Sequence, residues 1–208
     1  SYGIGETWTL LVPNTKGGAS VPMSANPIVQ EKGNPELSYL YQQIGQYWGE
    51  QPGTSGPVYV GAFVLMLFIL GLFIVKGPMK WALLAATVLS VTLSWGKNMM
   101  WLTDLFIDYM PLYAKFRTVA SILVVAEFTI PLLAMLALKK IIDEPEVLTQ
   151  KIKYVYASFG LTAGIALLFA LMPGVFFGSF VWSDEQPALS QVPPQQLNPI
   201  LAELTAVR

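Results

Sequence analysis

The chain contains no cysteine and no histidine, and only 12% of its 208 residues are charged. The missing cysteines exclude disulfides, thiolate nucleophiles and zinc–thiolate sites, and leave the redox compartment unread. The missing histidines remove the commonest general base and transition-metal ligand. Acid–base chemistry within the chain therefore falls mainly to Asp, Glu, Lys or Tyr. A soluble domain carries about 25% charged residues. The shortfall, with 54% hydrophobic residues and a mean hydropathy of +0.53, places the chain in the membrane class. A net charge of -1 excludes the concentrated basic surface that nucleic acid requires. Ser1-Tyr2-Gly3 opens without a basic stretch leading into an apolar one, so no signal peptide is expected. The sequence reads as a mature form or as a piece of a longer protein.

What is present is long apolar runs. Four are expected to cross a bilayer: 58–75, 81–96, 118–138 and 154–182. The first is about 27 Å long as a helix, enough for one crossing. The second is about 24 Å, short of a hydrocarbon core of about 30 Å, and carries Thr87, Ser90, Thr92 and Ser94. The third contains Glu127 and Pro131, and the fourth is broken at Pro173-Gly174. The expected fold class is all-α: a polytopic membrane segment with about four spans, an interfacial helix and an extracytoplasmic N-terminal segment. Half of the 12 basic residues lie in two short loops, 76–80 and 139–153. That bias marks those loops as cytoplasmic. Residues 1–57, the loop 97–117 and the tail 183–208 then lie outside, and the expected location is a bacterial plasma membrane.

The outer segments carry pattern of their own. In 35–48, Leu37, Leu40, Tyr41 and Ile44, with Tyr47 or Trp48, fall at helical spacing and predict a surface helix. Alternation over Thr7–Val12 predicts a short strand or extended loop. Gly17-Gly18 lacks the spacing of a P-loop. Gly53, Gly56 and Pro57 turn the chain into the first span, where Tyr47, Trp48 and Tyr59 suit an aromatic belt. The tail 183–199 is rich in Pro and Gln and reads as an extended connector, followed by the start of a helix.

Chemistry concentrates in the loop 97–117. Leu102, Leu105, Phe106, Tyr109, Met110 and Tyr113 form an apolar stripe, with Asp104, Asp108 and Trp101 on the other face. The pattern predicts a short amphipathic helix flat on the outer leaflet, ended by Pro111. The aspartates fit either a solvated face or a pair that holds a cation or shares a proton. Lys115 and Arg117 precede the third span, where basic groups oppose the helix dipole. Either they snorkel to ordinary head groups or they face a phosphate. Glu127, four residues before Pro131, lies mid-span. It is expected to face protein or water, as an ion or proton site or as a carboxyl hydrogen-bonded to the second span. Thr87, Ser90 and Ser94 share one face and predict close helix packing, as do Gly160-x-x-x-Gly164 and Gly174-x-x-x-Gly178.

Four stretches together, SYGIGETWTLLVPNTKGG, QYWGEQPGTSGPVYVG, SWGKNMMWLTDLFIDYMPLYAKFR and VASILVVAEFTIPLLA, resemble the YfhO-like family of large bacterial polytopic membrane proteins, in the version typical of Bacteroidetes. Pro111, Tyr113, Phe116 and Arg117 form the most family-like short piece, and the resemblance covers nearly all of 1–182. The family in turn resembles the GT-C glycosyltransferases, which transfer sugar from a polyprenyl-phosphate carrier on the outer face of the membrane. The resemblance implies that this chain belongs to a longer parent, whose remaining helices, with membrane lipids, are its partners. It implies a carrier-phosphate site at Lys115, Arg117 and Lys97, and sugar or acceptor contacts at Tyr47, Trp48, Tyr59 and Tyr113. Asp104, Asp108 or Glu6 would supply a base or hold a divalent cation, and the donor would be a polyprenyl-phosphate sugar. Two readings compete: a transporter or flippase segment using Glu127, and a structural membrane subunit without chemistry.

Overall fold

Lipid offers a backbone no water to bond. An apolar chain is therefore driven to helix, where the amides find partners within the segment. The computed structural model describes residues 2–51, 58–111, 113–115, 119–172, 175, 198, 200–202 and 205. They form an all-α fold, with no strands among the described residues beyond two isolated bridges, Thr15 with Gly17 and Pro22 with Gly45. The chain divides into two compact units, one of Ser1–Pro13 with Val58–Leu171, the other of Asn14–Pro57 with Met172–Arg208. The turn at Gly53, Gly56 and Pro57, the tail 183–197, Pro173-Gly174 and the second glycine pair at 174–178 lie outside the described residues.

The Asn14–Pro57 unit is built on two short helices, α1 (Pro27–Lys32) and α2 (Ser38–Gln43). Asn26 accepts from the Ile28 amide ahead of Pro27, a strong start signal for α1. The helix expected over 35–48 stops at Gln43. Ile44 turns extended and its carbonyl accepts from Met23, while the Gln46 amide bonds Val21 and the Trp48 amide bonds Lys16. Backbone partners on 16–23 thus outcompete another helical turn. Tyr41 and Ile44 bury against Met23 and Val29. Gly17, at φ +82°, packs its α-carbon against the Gln46 carbonyl so closely that a side chain there would collide with it.

The other unit begins with a 3-10 segment, Ile4–Leu10, where alternation had predicted strand or extended loop. Local bonds decide the matter. The Tyr2 hydroxyl and the Thr9 hydroxyl both donate to the Glu6 carbonyl, at 2.9 and 2.5 Å, and the chain folds back on itself. Then come α3 (Ala62–Ile74), α4 (Met79–Ser94), α5 (Met100–Tyr109), α6 (Leu123–Asp143), α7 (Glu146–Gln150), α8 (Ile152–Phe159) and α9 (Ile165–Leu171), with a π-helical turn, Gly160–Gly164, joining the last two.

Two helical stretches are long and apolar enough to cross a membrane, Val119–Asp143 and Ile152–Leu171. They point to membrane insertion. α4 and the segment from Gly96 to Tyr109 pass the same test only as a pair bent by 111°, which would make three. α3 has 13 residues, fewer than the 58–75 span expected from sequence. α6 runs unbroken through Pro131.

α6 is the central helix of this unit. Ala126, Ile130, Leu133 and Ala137 on one face are almost completely buried, the first three in a cluster with Phe68 of α3, Leu83 of α4 and Tyr2, and Ala137 with Leu70 and Ile74 of α3. The hydroxyl face of α4 meets α6 as its spacing predicted. The Thr87 and Thr129 hydroxyls lie 2.7 Å apart, and Ser90 donates to the Ile122 carbonyl at 2.7 Å while accepting from the Ala126 amide at 3.3 Å. The glycine that permits close approach is one the sequence reading passed over. A β-carbon on Gly71 of α3 would stand 3.1 Å from Leu133 Cγ, 3.2 Å from the Leu133 carbonyl and 3.3 Å from Ala137 Cβ. A β-carbon on Gly160 or Gly164 would meet nothing within 4 Å, so this glycine pair packs against no other helix among the described residues.

Two of the contacts facing Gly71 are backbone and Cβ atoms, which cannot swing away. Gly71→Ala is therefore expected to destabilise the unit by about 1–3 kcal/mol, the usual overpacking range. Gly160→Ala should be neutral or slightly stabilising, since alanine favours helix by up to about 1 kcal/mol over glycine. Thermal unfolding of the two variants in detergent micelles distinguishes them.

Candidate functional site

The bend between α4 and α5 is built from short-range ties. Gly96 adopts φ +45°, a conformation glycine reaches without strain. Thr103 donates from α5 back to the Gly96 carbonyl at 2.9 Å and buries its side chain. The N-terminal segment closes over the corner. The Tyr2 amide donates to the Ser94 carbonyl, Asn98 donates to the Tyr2 carbonyl, and the Trp95 indole donates to Thr7. The Tyr2 amide thereby satisfies Ser94, one of the last carbonyls of α4, which have no helical donors.

Beyond the corner α5 presents most of its surface outward. Leu102 is buried with Thr103, whereas Leu105, Phe106, Tyr109 and Met110 line an open cavity of about 420 Å³. The helix stops at Tyr109 and Met110 turns extended ahead of Pro111, as the proline dictates. Tyr113 folds back so that its ring lies 5.5 Å from that of Phe106. Its hydroxyl is buried without a hydrogen-bond partner among the described residues, and burial pushes its phenol above the usual tyrosine value. Lys115, two residues on, is exposed.

Asp104 and Asp108 are exposed on α5, Lys97 is exposed at the corner, and no group of three acidic side chains among the described residues is placed to hold a metal. Arg117, with Phe116, lies outside the described residues. Glu6, the third carboxylate named as a base or cation ligand, is 1% exposed, inside the folded N-terminal segment. Glu127 was expected to face protein or water, as an ion or proton site or as a carboxyl hydrogen-bonded to the second span; Thr129 is the residue that meets Thr87 of α4, and Glu127 is exposed on the far side of α6. Helical phase is the cause: two residues along α6 are separated by about 200°.

In the Asn14–Pro57 unit, Tyr47 and Trp48 are buried, not displayed on a surface. The Tyr47 hydroxyl accepts from the Gln51 amide, and the Lys16 ammonium lies 3.9 Å from the Trp48 ring centre. Tyr59 stays about half exposed ahead of α3. The residues that build the corner, Thr7, Trp95, Asn98 and Thr103, were not singled out from sequence. Their one local signal is Gly96 at the end of an apolar helix.

The opposite end of this unit gathers charge. Lys80 donates to the Leu72 carbonyl near the end of α3. Lys140 pairs with Glu144 at 2.5 Å, and that hydrogen bond holds the Glu144 carboxyl below its usual value, with a smaller contribution from Lys76. Lys76 and Glu144 belong to the two lysine-bearing loops, so both loops lie at one end and the Tyr2 corner at the other.

Comparison with known protein families, with curated proteins and with solved structures finds no match to this chain.

Tyr2 gives the corner a pH signature. Burial pushes its phenol from 10.0 up to about 12, opposed by the Thr9 hydrogen bond and aided by the charge of Glu6. Because the folded value is the raised one, the stabilisation is complete below about pH 10 and is lost as pH rises toward 12. A shift of this size corresponds to roughly 3 kcal/mol at most. Alkaline unfolding followed by circular dichroism should therefore steepen between pH 10 and 12, and Tyr2→Phe should flatten that limb.

Proposed function

We propose that this chain is the carrier-binding part of an integral membrane glycosyltransferase-like protein of the YfhO-like type, which moves sugar from a polyprenyl phosphate to an acceptor on the outer face. The observation that carries this reading is the apolar cavity on α5, followed within a few residues by the exposed Lys115. A lipid-linked phosphate is an apolar chain joined to an anion. Leu105, Phe106, Tyr109 and Met110 suit the chain, and Lys115, with Arg117 beside it in sequence, suits the anion.

The orientation follows the lysines. The loops at 76–80 and 139–153 are placed in the cytoplasm and the Tyr2 corner outside, with four crossings along 58–182. The grouping of Lys76 with Glu144 at one end supports this arrangement. In the reaction the acceptor oxygen bonds to the anomeric carbon, the bond from that carbon to the carrier phosphate breaks, and the acceptor proton leaves to a base. Lys115 and Arg117, with Lys97 from the corner ahead of α5, offset the charge that develops on the departing phosphate. Asp104 and Asp108 are the exposed carboxylates on α5 able to take the proton or to hold a divalent cation.

Replacing both Lys115 and Arg117 by alanine should lower sugar transfer from a polyprenyl-phosphate donor at least tenfold in membranes holding the full-length protein. Leu105→Glu, which puts charge in the cavity, should raise the KM for the lipid donor more than it lowers kcat. Unchanged transfer in the double alanine variant overturns the phosphate role.

A further inference from the structure

α6 has one ionisable side chain within its apolar run, and the packing of this unit turns it outward. Ala126, Thr129, Ile130, Leu133 and Ala137 form the buried face. Val124, Phe128 and Met135 are 62%, 67% and 63% exposed, and Glu127 sits among them. No hydrogen bond or ion pair reaches its carboxylate among the described residues. Counted from the start of the helical run at 119, Glu127 lies about 12 Å along the axis, well inside the hydrocarbon layer. Carboxylates at such depth are rare, and where they occur they find a partner.

We propose that the outward face of α6 around Glu127 docks a further membrane helix that presents a lysine or arginine at the same depth. Three observations select this occupant. A purely apolar helix or lipid tails offer the carboxyl group neither a hydrogen-bond donor nor a charge. Val124 and Phe128 make the face around it apolar, and an apolar surround strengthens attraction between a carboxylate and a cation. A second copy of this chain is a poor occupant, because a two-fold contact would set Glu127 against Glu127. Such a copy also has no basic residue to offer, since none of the four expected spans contains lysine or arginine. Met135, two turns further along, gives the docking surface an adaptable end. The inference stands independently of the transferase reading.

A photo-reactive amino acid at position 128, in the full-length protein in its own membranes, tests the docking directly. The expected adduct, identified by mass spectrometry, is an apolar helical peptide with lysine or arginine within one turn of the attachment point. Its yield should fall at least tenfold with Glu127→Leu or the near-isosteric Glu127→Gln, and persist with Glu127→Asp. The chain lacks cysteine, so a Thr87→Cys, Thr129→Cys pair, which should form a disulfide across the 2.7 Å hydroxyl contact on mild oxidation, reports intact α4–α6 packing in each variant. Adducts to lipid only, to a second copy of this chain or to a helix without a basic residue overturn the proposal. So does an unchanged yield with Glu127→Gln.

Discussion

Ser90 sets the geometry on which the helical unit depends. Its hydroxyl donates to the Ile122 carbonyl and accepts from the Ala126 amide, where the 3-10 turn at Val119–Ile122 passes into α6. This fixes the rotational phase of α6 against α4. Thr129, Ile130, Leu133 and Ala137 consequently face inward, and Val124, Phe128 and Met135 outward. Glu127 follows the outward set. In lipid such hydrogen bonds are worth roughly 0.6 kcal/mol each, because the separated helices also find partners. The strength of the α4–α6 seam is therefore modest per contact. What the contacts contribute is register, while the steric fit of Gly71 against Leu133 contributes more to stability.

The two ends of the unit are finished by different physics. At the Tyr2 corner, neutral donors and acceptors close the exposed end of α4, with the Tyr2 hydroxyl, Thr9 and the Glu6 carbonyl forming a buried network. Networks of this kind demand that every member be satisfied, which explains why so many partners come from one short segment. At the opposite end, lysines provide the finish. Lys80 caps α3, Lys140 pairs with Glu144, and Phe73 stacks on Tyr154 at 4.6 Å to join α3 to α8.

Helix, apolar character and the hydroxyl seam were legible in the sequence because each rests on local composition or on spacing of three and four. Thr87 and Ser90 met α6 as their period required, while Ser94 is buried at the Tyr2 corner. The direction of Glu127 was not legible. It depends on the phase of α6, and that phase depends on Ser90, in another helix. Gly71 was overlooked because the sequence reading looked for paired glycines four apart, whereas the close approach uses a lone glycine against Leu133 and Ala137. The segment Thr7–Val12 misled because alternation is a signal for strand only when a partner strand exists, and here local hydroxyl bonds were available instead. Of the candidate site, the short helix at 100–109 and its end before Pro111 were readable, but the corner that aims it was not, since Thr7 and Trp95 are far apart in the chain.

Polar residues in these apolar helices thus fall into two kinds, and chemistry separates them. A threonine or serine can satisfy itself at home by donating to a carbonyl on its own helix. Thr87 does so to Leu83, Thr129 to Val125, Ser158 to Tyr154 and Thr162 to Ser158. Such residues make few demands on their surroundings, and their presence in a span carries little functional weight. A carboxyl group has two acceptor oxygens and the helix around it has no free amide to offer them, so they are met from outside. Glu127 is in that position beside four hydroxyls that are not. Whatever surrounds α6 in the working protein has to supply a donor at that depth, which makes Glu127 the residue through which this unit specifies a neighbour.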